Sequence, residues 1–191
     1  DGPAWLGFAR NAQHTALGEI ATQALTTIWW STPVDPAPPY SNNGALLVHY
    51  GSPLITRQNT VIVPVKTGSA GGFRVEARIG ANGNLLWTQD SSYRLPPHNW
   101  VPSFNPVLTP GRRVLLPASG GRVLERASAD AAAGALRTLV FFGEAAYDAD
   151  PASYDGTVFI NTPLTSDSSG NVFFGFTVTG SNPLGLAGGI A

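Results

Sequence analysis

The 191-residue sequence contains no cysteine and no methionine. The lack of cysteine excludes disulfides, thiolate metal sites and cysteine nucleophiles. Because methionine is absent, we expect the chain to begin downstream of a removed segment such as a signal peptide. A cysteine-free chain with few charges suits the periplasm or the cell exterior, which predicts a secreted or periplasmic protein.

Charged residues are also scarce. They make up 12% of the chain, and the formal net charge is -1. The charges do not cluster, so we expect no electrostatic attraction to nucleic acid or to an anionic membrane surface. No apolar run approaches the roughly 18 residues of a membrane-spanning helix, and no span is expected.

A short phrase, by contrast, occurs three times. Its central residues are Pro53, Pro106 and Pro163, which are 53 and 57 positions apart, and each is followed by apolar residues and threonine. A turn and a second apolar run follow each copy, at residues 59–64, 112–117 and 170–175. A period near 50 residues built from short strands is typical of stacked, blade-like units. Abundant glycine (22) and proline (16) suit the many turns that such units need.

The first unit predicts a four-stranded antiparallel meander. Residues 52–56 and 61–65 form its first two strands, and residues 73–79 alternate strictly between apolar and polar side chains, as a half-buried strand should. Residues 82–83 are Asn-Gly, which predicts a type I′ hairpin turn because both can adopt positive φ. The chain then returns through Leu85–Trp87.

The second unit repeats this order. Its predicted strands are residues 106–109, 113–116, 121–127 and 136–142. The alanine-rich residues 129–134 fit either a short helix or a turn, and we favour a turn because Gly134 ends the run.

The third unit is incomplete, and its missing strand has a counterpart near the start of the chain. We predict strands at residues 162–166 and 171–178, with Ile190 and Ala191 beginning a third. Leu25–Trp30 is predicted to be a fourth strand without its own first three. In a closed propeller such a strand completes the last blade and removes exposed sheet edges.

The chain resembles the quinoprotein-like (PQQ-repeat) β-propellers. That family ends each repeat in a tryptophan-docking motif, and Ala77, Gly83 and Trp87 occupy three of its positions. Ile79 and Asn82 stand where the family has Asp and Thr. The resemblance implies that Trp87 packs its ring between neighbouring blades.

Two further stretches carry the resemblance. In the second copy of the docking motif Asp130 and Gly134 fit, but Thr138 occupies the tryptophan position. Residues 5–15 resemble the leader of secreted propellers of this group. Trp30 and Trp87 are 57 residues apart, which matches the repeat.

The fold class implied is all-β, a partial β-propeller of four-stranded antiparallel blades. Propellers need about four to eight blades to close. We therefore expect a complementary C-terminal portion of the same propeller as the partner of this chain. The expected divisions are a leader (1–24), a closing strand of the last blade (25–31), blades at 45–90 and 100–143, and an incomplete blade (158–191).

Three carboxylates fall close together at Asp148, Asp150 and Asp155. A glycine-containing loop of this kind suits calcium, but the spacing is not that of an EF-hand. Turn-forming aspartates in a solvated blade connection are the alternative that we favour.

The histidines His14, His49 and His98 are scattered. His49 precedes a predicted inner strand, from which a side chain can reach a central channel and act as base or ligand. A structural, hydrogen-bonded role is the favoured alternative for all three.

Aromatic residues accompany the proline-rich connections. Tyr40, Tyr93, Trp100 and Phe104 form this group. On one exposed face they would bind a glycan or protein ligand, and packing between blades is the alternative.

No catalytic motif is recognisable, so we predict a non-catalytic binding or structural module that lacks a bound cofactor. One alternative is a fragment of a PQQ-dependent quinoprotein dehydrogenase with calcium, although the adjacent cysteines common in that family are absent. Another is an extracellular assembly subunit joined through its strand edges.

Overall fold

The computed structural model describes residues 2–20, 24–35, 40–42, 45–47, 51–68, 71–97 and 104–191. The strands are Tyr40–Asn42 (β1), Ala45–Leu47 (β2), Leu54–Ile55 (β3), Thr60–Lys66 (β4), Gly71–Ile79 (β5), Leu85–Arg94 (β6), Val107–Leu108 (β7), Val114–Pro117 (β8), Arg122–Arg126 (β9), Leu136–Val140 (β10), Val158–Ile160 (β11), Thr165–Ser166 (β12), Val172–Phe173 (β13), Gly175–Val178 (β14) and Gly189–Ile190 (β15). The helices are Glu144–Ala149 (α1) and Pro151–Thr157 (α2), with a 3₁₀ turn at Ser119–Gly121. The protein is mostly β, and no sheet among the described residues closes into a ring.

The first sheet has the order β3-β4-β5-β6, and all its pairs are antiparallel. The predicted four-stranded meander is confirmed. Phe73, Val75 and Ala77 are buried on one face of β5 as the alternation predicts, but Glu76 on the opposite face is buried as well. The blade expected at residues 45–90 begins with β2, but β2 pairs with β1 in a hairpin outside this sheet.

The turn between β5 and β6 differs from the predicted type I′ turn. Only Gly83 has a positive φ (74°), whereas a type I′ turn needs positive φ at Asn82 as well. The amide of Ile79 donates to the carbonyl of Asn84 at 2.9 Å, so the loop spans residues 80–83. The longer loop presents the Gly80 carbonyl, which accepts a 2.8 Å hydrogen bond from the Trp30 indole.

The second sheet has the order β7-β8-β9-β10, again antiparallel throughout. The predicted second meander is confirmed, although β10 ends at Val140 rather than at residue 142. Residues 129–134 contain no helix, which confirms the turn interpretation.

The register reassigns the tryptophan position of the second sheet. Trp87 lies opposite Ala77, and Arg137 lies opposite Glu125. Ala77 pairs with a residue of β4 that pairs in turn with Leu54, the first residue of β3. Glu125 is linked in the same way, through β8, to Val107, the first residue of β7. Ala77 and Glu125 therefore correspond. The equivalent of Trp87 is therefore Arg137, and the assignment to Thr138 was wrong by one residue.

The third unit is built from shorter pieces than the sequence predicted. The strand expected over residues 171–178 is interrupted at Phe174, so that β13 pairs with β12 while β14 pairs with β11 and β15. Strand β11 was not predicted. The expected third strand is confirmed as β15, which lies at the edge of its sheet.

Residues 24–30 pair with no strand among the described residues, so the closing strand expected at 25–31 stays a prediction. Leu25 and Ile28 are 103% and 85% exposed, and Trp29 is 78% exposed. A strand needs a neighbour for its backbone groups, and the described residues offer this segment none. Only Trp30, half-buried on the β5–β6 loop, is anchored.

Residues 144–157 are helical rather than a loop of turns. Asp150 separates α1 from α2 and caps α2, because its carboxylate accepts a 3.1 Å hydrogen bond from the Ser153 amide. Pro151 occupies the first turn of α2, where its missing N–H costs nothing.

A continuous apolar core joins the two sheets to the third unit. The Tyr93 hydroxyl on β6 donates to the carbonyl of Ile160 on β11 at 2.7 Å. The leader crosses the first strands: Trp5 bridges Ile55, and the Leu108 amide donates to the Leu6 carbonyl at 2.7 Å. These contacts cover strand edges that would otherwise be open. No helix in the described part of the chain is long and apolar enough to span a bilayer.

Candidate functional site

Three hairpin turns with the same geometry follow the three copies of the repeated phrase. In the first, the amides of Thr56 and Asn59 bond to the carbonyls of Thr60 and Thr56, respectively, each at 3.0 Å. The second turn makes the same bonds from Thr109 to Arg113, and the third makes them from Asp167 to Asn171. This is a three-residue hairpin loop with a left-handed final residue.

The left-handed position holds a different residue in each turn. Asn59 has φ 62°, Arg112 has φ 61° and Gly170 has φ 85°. The first two turns begin three residues after Pro53 and Pro106, whereas the third begins four residues after Pro163. Pro163 is therefore not at the strictly equivalent position, although its turn is equivalent.

A relay of hydrogen bonds connects the left-handed residue of each complete sheet to a tryptophan. The Trp87 indole donates to the Ala129 carbonyl at 2.9 Å, and the Ala129 amide donates to the Arg112 carbonyl at 3.1 Å. In the first sheet Trp30 donates to Gly80, whose amide donates to Asn59 at 2.8 Å. The predicted packing of Trp87 on the next unit is confirmed.

A cleft of about 350 Å³ lies where the leader crosses the first two turns. We call it the turn cleft. Its charged residues are Arg10, Glu19, Arg57, Arg112 and Asp130. The leader, both turns and the β9–β10 connection thus converge on one polar cavity.

Two of the three arginines in the turn cleft are free. Arg10 forms an ion pair with Glu19, and Asp130 accepts a 2.5 Å hydrogen bond from the Thr56 hydroxyl. The guanidinium groups of Arg57 and Arg112 are exposed and make no hydrogen bond or ion pair with any described residue. The turn cleft can therefore offer to an anionic group two arginines that have no ion pair with the described residues, in a lining of three arginines and two carboxylates.

Two buried glutamates contrast with this cleft because both are paired. Glu76 on β5 accepts hydrogen bonds from Arg74 (2.5 and 2.8 Å) and from Arg78 (2.5 and 3.1 Å). Burial by itself raises the pKa of Glu76, but the hydrogen bonds from Arg78 and Arg74 outweigh burial and hold the pKa below its ordinary value of 4.5. Glu76 is therefore a structural anion rather than a proton donor at neutral pH.

A second cavity, of about 590 Å³, separates the second sheet from the third unit. Its polar wall is Glu125, which pairs with Arg113 at 2.6 Å and with Arg137 at 3.2 Å. Phe141 and Phe174 form part of its apolar wall. Since the carboxylate is already paired twice, this cavity offers a ligand less unmatched charge than the turn cleft does.

The structure separates the three aspartates considered for calcium. Asp150 caps α2, and Asp155 accepts a 3.1 Å hydrogen bond from Tyr147 and lies 3.6 Å from an Arg122 nitrogen. Asp148 is exposed. No group of three His, Cys, Asp or Glu side chains among the described residues is arranged to hold a metal ion. The acidic spacing reflects helix capping and pairing in this region.

Three of the predicted histidine and aromatic candidates lie among the described residues. His14 is exposed and contacts Phe8 edge-on, with ring centroids 5.4 Å apart. Tyr93 and Phe104 are 2% and 0% exposed and pack against Phe73 in the core. The packing alternative is confirmed for both, and Tyr93 lies within β6 rather than in a connection.

Other predicted candidates lie outside the described residues. These are His49, His98, Trp100 and the side chain of Tyr40.

The arginines of the turn cleft were not among the predicted site residues. The signal was present: Thr, Thr or Asp opens each turn, and Asn, Arg or Gly stands three positions later. An arginine where its counterparts are Asn59 and Gly170 marks Arg112 as unusual.

Comparison with known proteins identifies no relative of this chain. No family model matches the chain, and searches of curated proteins and of solved structures found no match either.

Proposed function

We propose that this chain is a secreted or periplasmic, non-catalytic binding module, built as consecutive blades of a β-propeller. The observation that supports the propeller most directly is the repeated relay from tryptophan to loop to turn, made by Trp30 and again by Trp87. Repetition of one contact between successive units is typical of stacked repeat architectures.

Two exposed apolar segments, residues 24–30 and β15, support the proposal that further strands of the same propeller complete the ring, and we call them the two edges. Trp30 is seated as Trp87 is, yet the preceding residues have no strand partner among those described, and Ile28 is 85% exposed. At the other end β15 is an edge strand whose Ile190 is 84% exposed. Covering both edges would bury apolar surface and satisfy backbone groups.

The proposed binding role follows from the turn face. The turn cleft combines a concave shape with two exposed guanidinium groups that have no partner among the described residues, whereas the buried Glu76 and Glu125 are paired within the fold. Concave sites with a few convergent polar groups are the usual form of ligand sites.

Native mass spectrometry after size-exclusion chromatography of the native preparation tests the completion of the ring. We expect the 20.0 kDa chain to co-migrate with a further polypeptide rich in strand-forming repeats. Ile28→Lys and Ile190→Lys should each weaken that association because they place a charge on an edge to be paired.

Val34→Lys is the matched control, since Val34 is exposed (43%) and lies in neither edge. A chain that stays monomeric, or edge variants that behave as Val34→Lys does, would contradict the proposal. A complex of identical copies would favour the assembly-subunit alternative instead. Dye-linked alcohol oxidation after addition of PQQ and calcium would favour the quinoprotein dehydrogenase alternative.

A further inference from the structure

We propose that the turn cleft binds a small organic anion that carries hydroxyl groups, such as a sugar acid, with Arg57 and Arg112 holding its carboxylate. This inference deepens the binding role proposed above and depends on it.

The backbone at Arg112 is the first support. The three equivalent turns place Asn59, Arg112 and Gly170 in the left-handed region. Glycine adopts that conformation freely and asparagine tolerates it, whereas arginine does so at a cost in free energy. The Arg112 guanidinium makes no hydrogen bond or ion pair with the described residues that would offset the cost. Strained backbone conformations of this kind cluster at functional positions.

The second support is the charge balance of the turn cleft. The leader contributes Arg10 and Glu19, which neutralise each other. Asp130 accepts a hydrogen bond from a neutral threonine hydroxyl, so three arginines face two carboxylates in the lining. The two remaining guanidinium groups, Arg57 and Arg112, come from different turns and line the same cavity. Guanidinium groups match a carboxylate with two parallel hydrogen bonds.

The remaining lining favours a hydroxylated anion over a bare one. A carboxylate, Asp130, and the hydroxyl of Thr109 lie among the lining residues and can accept hydrogen bonds from ligand hydroxyls. A carboxylate in the lining also disfavours a compact, multiply charged anion such as sulfate. The volume of about 350 Å³ is at the lower end of ligand sites and suits about one sugar ring.

Isothermal titration calorimetry of the full chain tests the proposal with three probes: galacturonate, galactose and sulfate. We expect saturable binding of galacturonate and much weaker binding of the other two. Arg112→Gly keeps the left-handed turn but removes the guanidinium, and it should weaken galacturonate binding about tenfold or more. Arg57→Gln should weaken it in the same direction.

Arg94→Gln is the matched control, because Arg94 is an exposed arginine on β6 outside the turn cleft. It should leave the affinity unchanged. Absence of galacturonate binding, or unchanged binding by Arg112→Gly, would overturn the inference. If galactose bound as tightly as galacturonate, the cleft would not recognise the negative charge. If sulfate bound as tightly, the cleft would not recognise the hydroxyl groups. Either result would also overturn the inference. Failure here with ring completion intact would remove only this ligand assignment.

Discussion

The first and second sheets share their strand order and turn geometry, but they contact the next unit in different ways. At one register position the first sheet carries Trp87, 6% exposed and bonded to the neighbouring loop. The second sheet carries Arg137 there, and a cavity of about 590 Å³ separates that sheet from the third unit. The same register position therefore carries a buried aromatic ring at one interface and lines a cavity at the other.

The strands of the second sheet are also shorter than those of the first. Strands β4, β5 and β6 have 7, 9 and 10 residues, whereas β8, β9 and β10 have 4, 5 and 5. The longer strands bury Glu76 between arginines of its own strand. Glu125 instead pairs across strands with Arg113 and Arg137, which are 49% and 60% exposed.

Removing the docking tryptophan should have the largest effect. Trp87→Ala deletes a buried ring and a hydrogen bond, and we expect it to lower the free energy of unfolding by about 3–5 kcal/mol. Chemical denaturation followed by fluorescence measures the change. Trp29→Ala is the control, because Trp29 is 78% exposed and should change stability by less than about 0.5 kcal/mol. Equal effects of the two variants would refute the close-packed interface.

The next effect concerns the paired glutamates. Glu76→Gln should cost about 1–3 kcal/mol at neutral pH, since it leaves two arginines without their shared anion. Glu125→Gln should cost less because its partners are better hydrated. Urea titrations of both variants at one pH provide the measurement. A larger loss for Glu125→Gln would reverse the ranking of the two sheets.

The pH dependence of Glu76 gives a second readout. Its pKa is lowered on folding, so its stabilising effect is fully present above its ordinary pKa of 4.5 and is lost as the pH falls below that value. Glu76→Gln should therefore reduce the acid sensitivity of unfolding between neutral pH and the acid range. An unchanged pH profile in this variant would show that other carboxylates carry the acid sensitivity.

Two Gly→Ala substitutions should differ in their effect on stability by a smaller amount. Gly83 has φ 74°, and an added Cβ would lie 2.7 Å from a Trp30 ring carbon. Gly83→Ala should therefore cost about 1–2 kcal/mol from the left-handed backbone alone. At Gly111, which is not in the left-handed region, an added Cβ would meet only the Thr109 hydroxyl, at 3.8 Å. Gly111→Ala should be milder, and thermal unfolding of both variants checks the order.

The smallest expected effect is a gain. Arg112→Gly relieves a left-handed arginine but increases the freedom of the unfolded chain, for a net stabilisation of about 0.5 kcal/mol. Asn59→Gly should change stability by less, since asparagine tolerates this conformation. Precise denaturant midpoints for the two variants measure the difference. Destabilisation by Arg112→Gly would mean that Arg112 has a structural role.

The amino-acid sequence alone determined the all-β class, both four-stranded meanders and the turn at residues 129–134, whereas the packing of Trp87 was implied only by the family resemblance. These features depend on alternation, turn residues and repeated spacing, which are local. Tertiary contacts decided the rest. Strand β11 is recognisable only through its pairing with β14, and residues 25–30, which have strand-forming composition, lack a partner among the described residues. The turn cleft likewise exists only because the leader crosses two turns that lie far apart in sequence, and no local pattern encodes such a meeting.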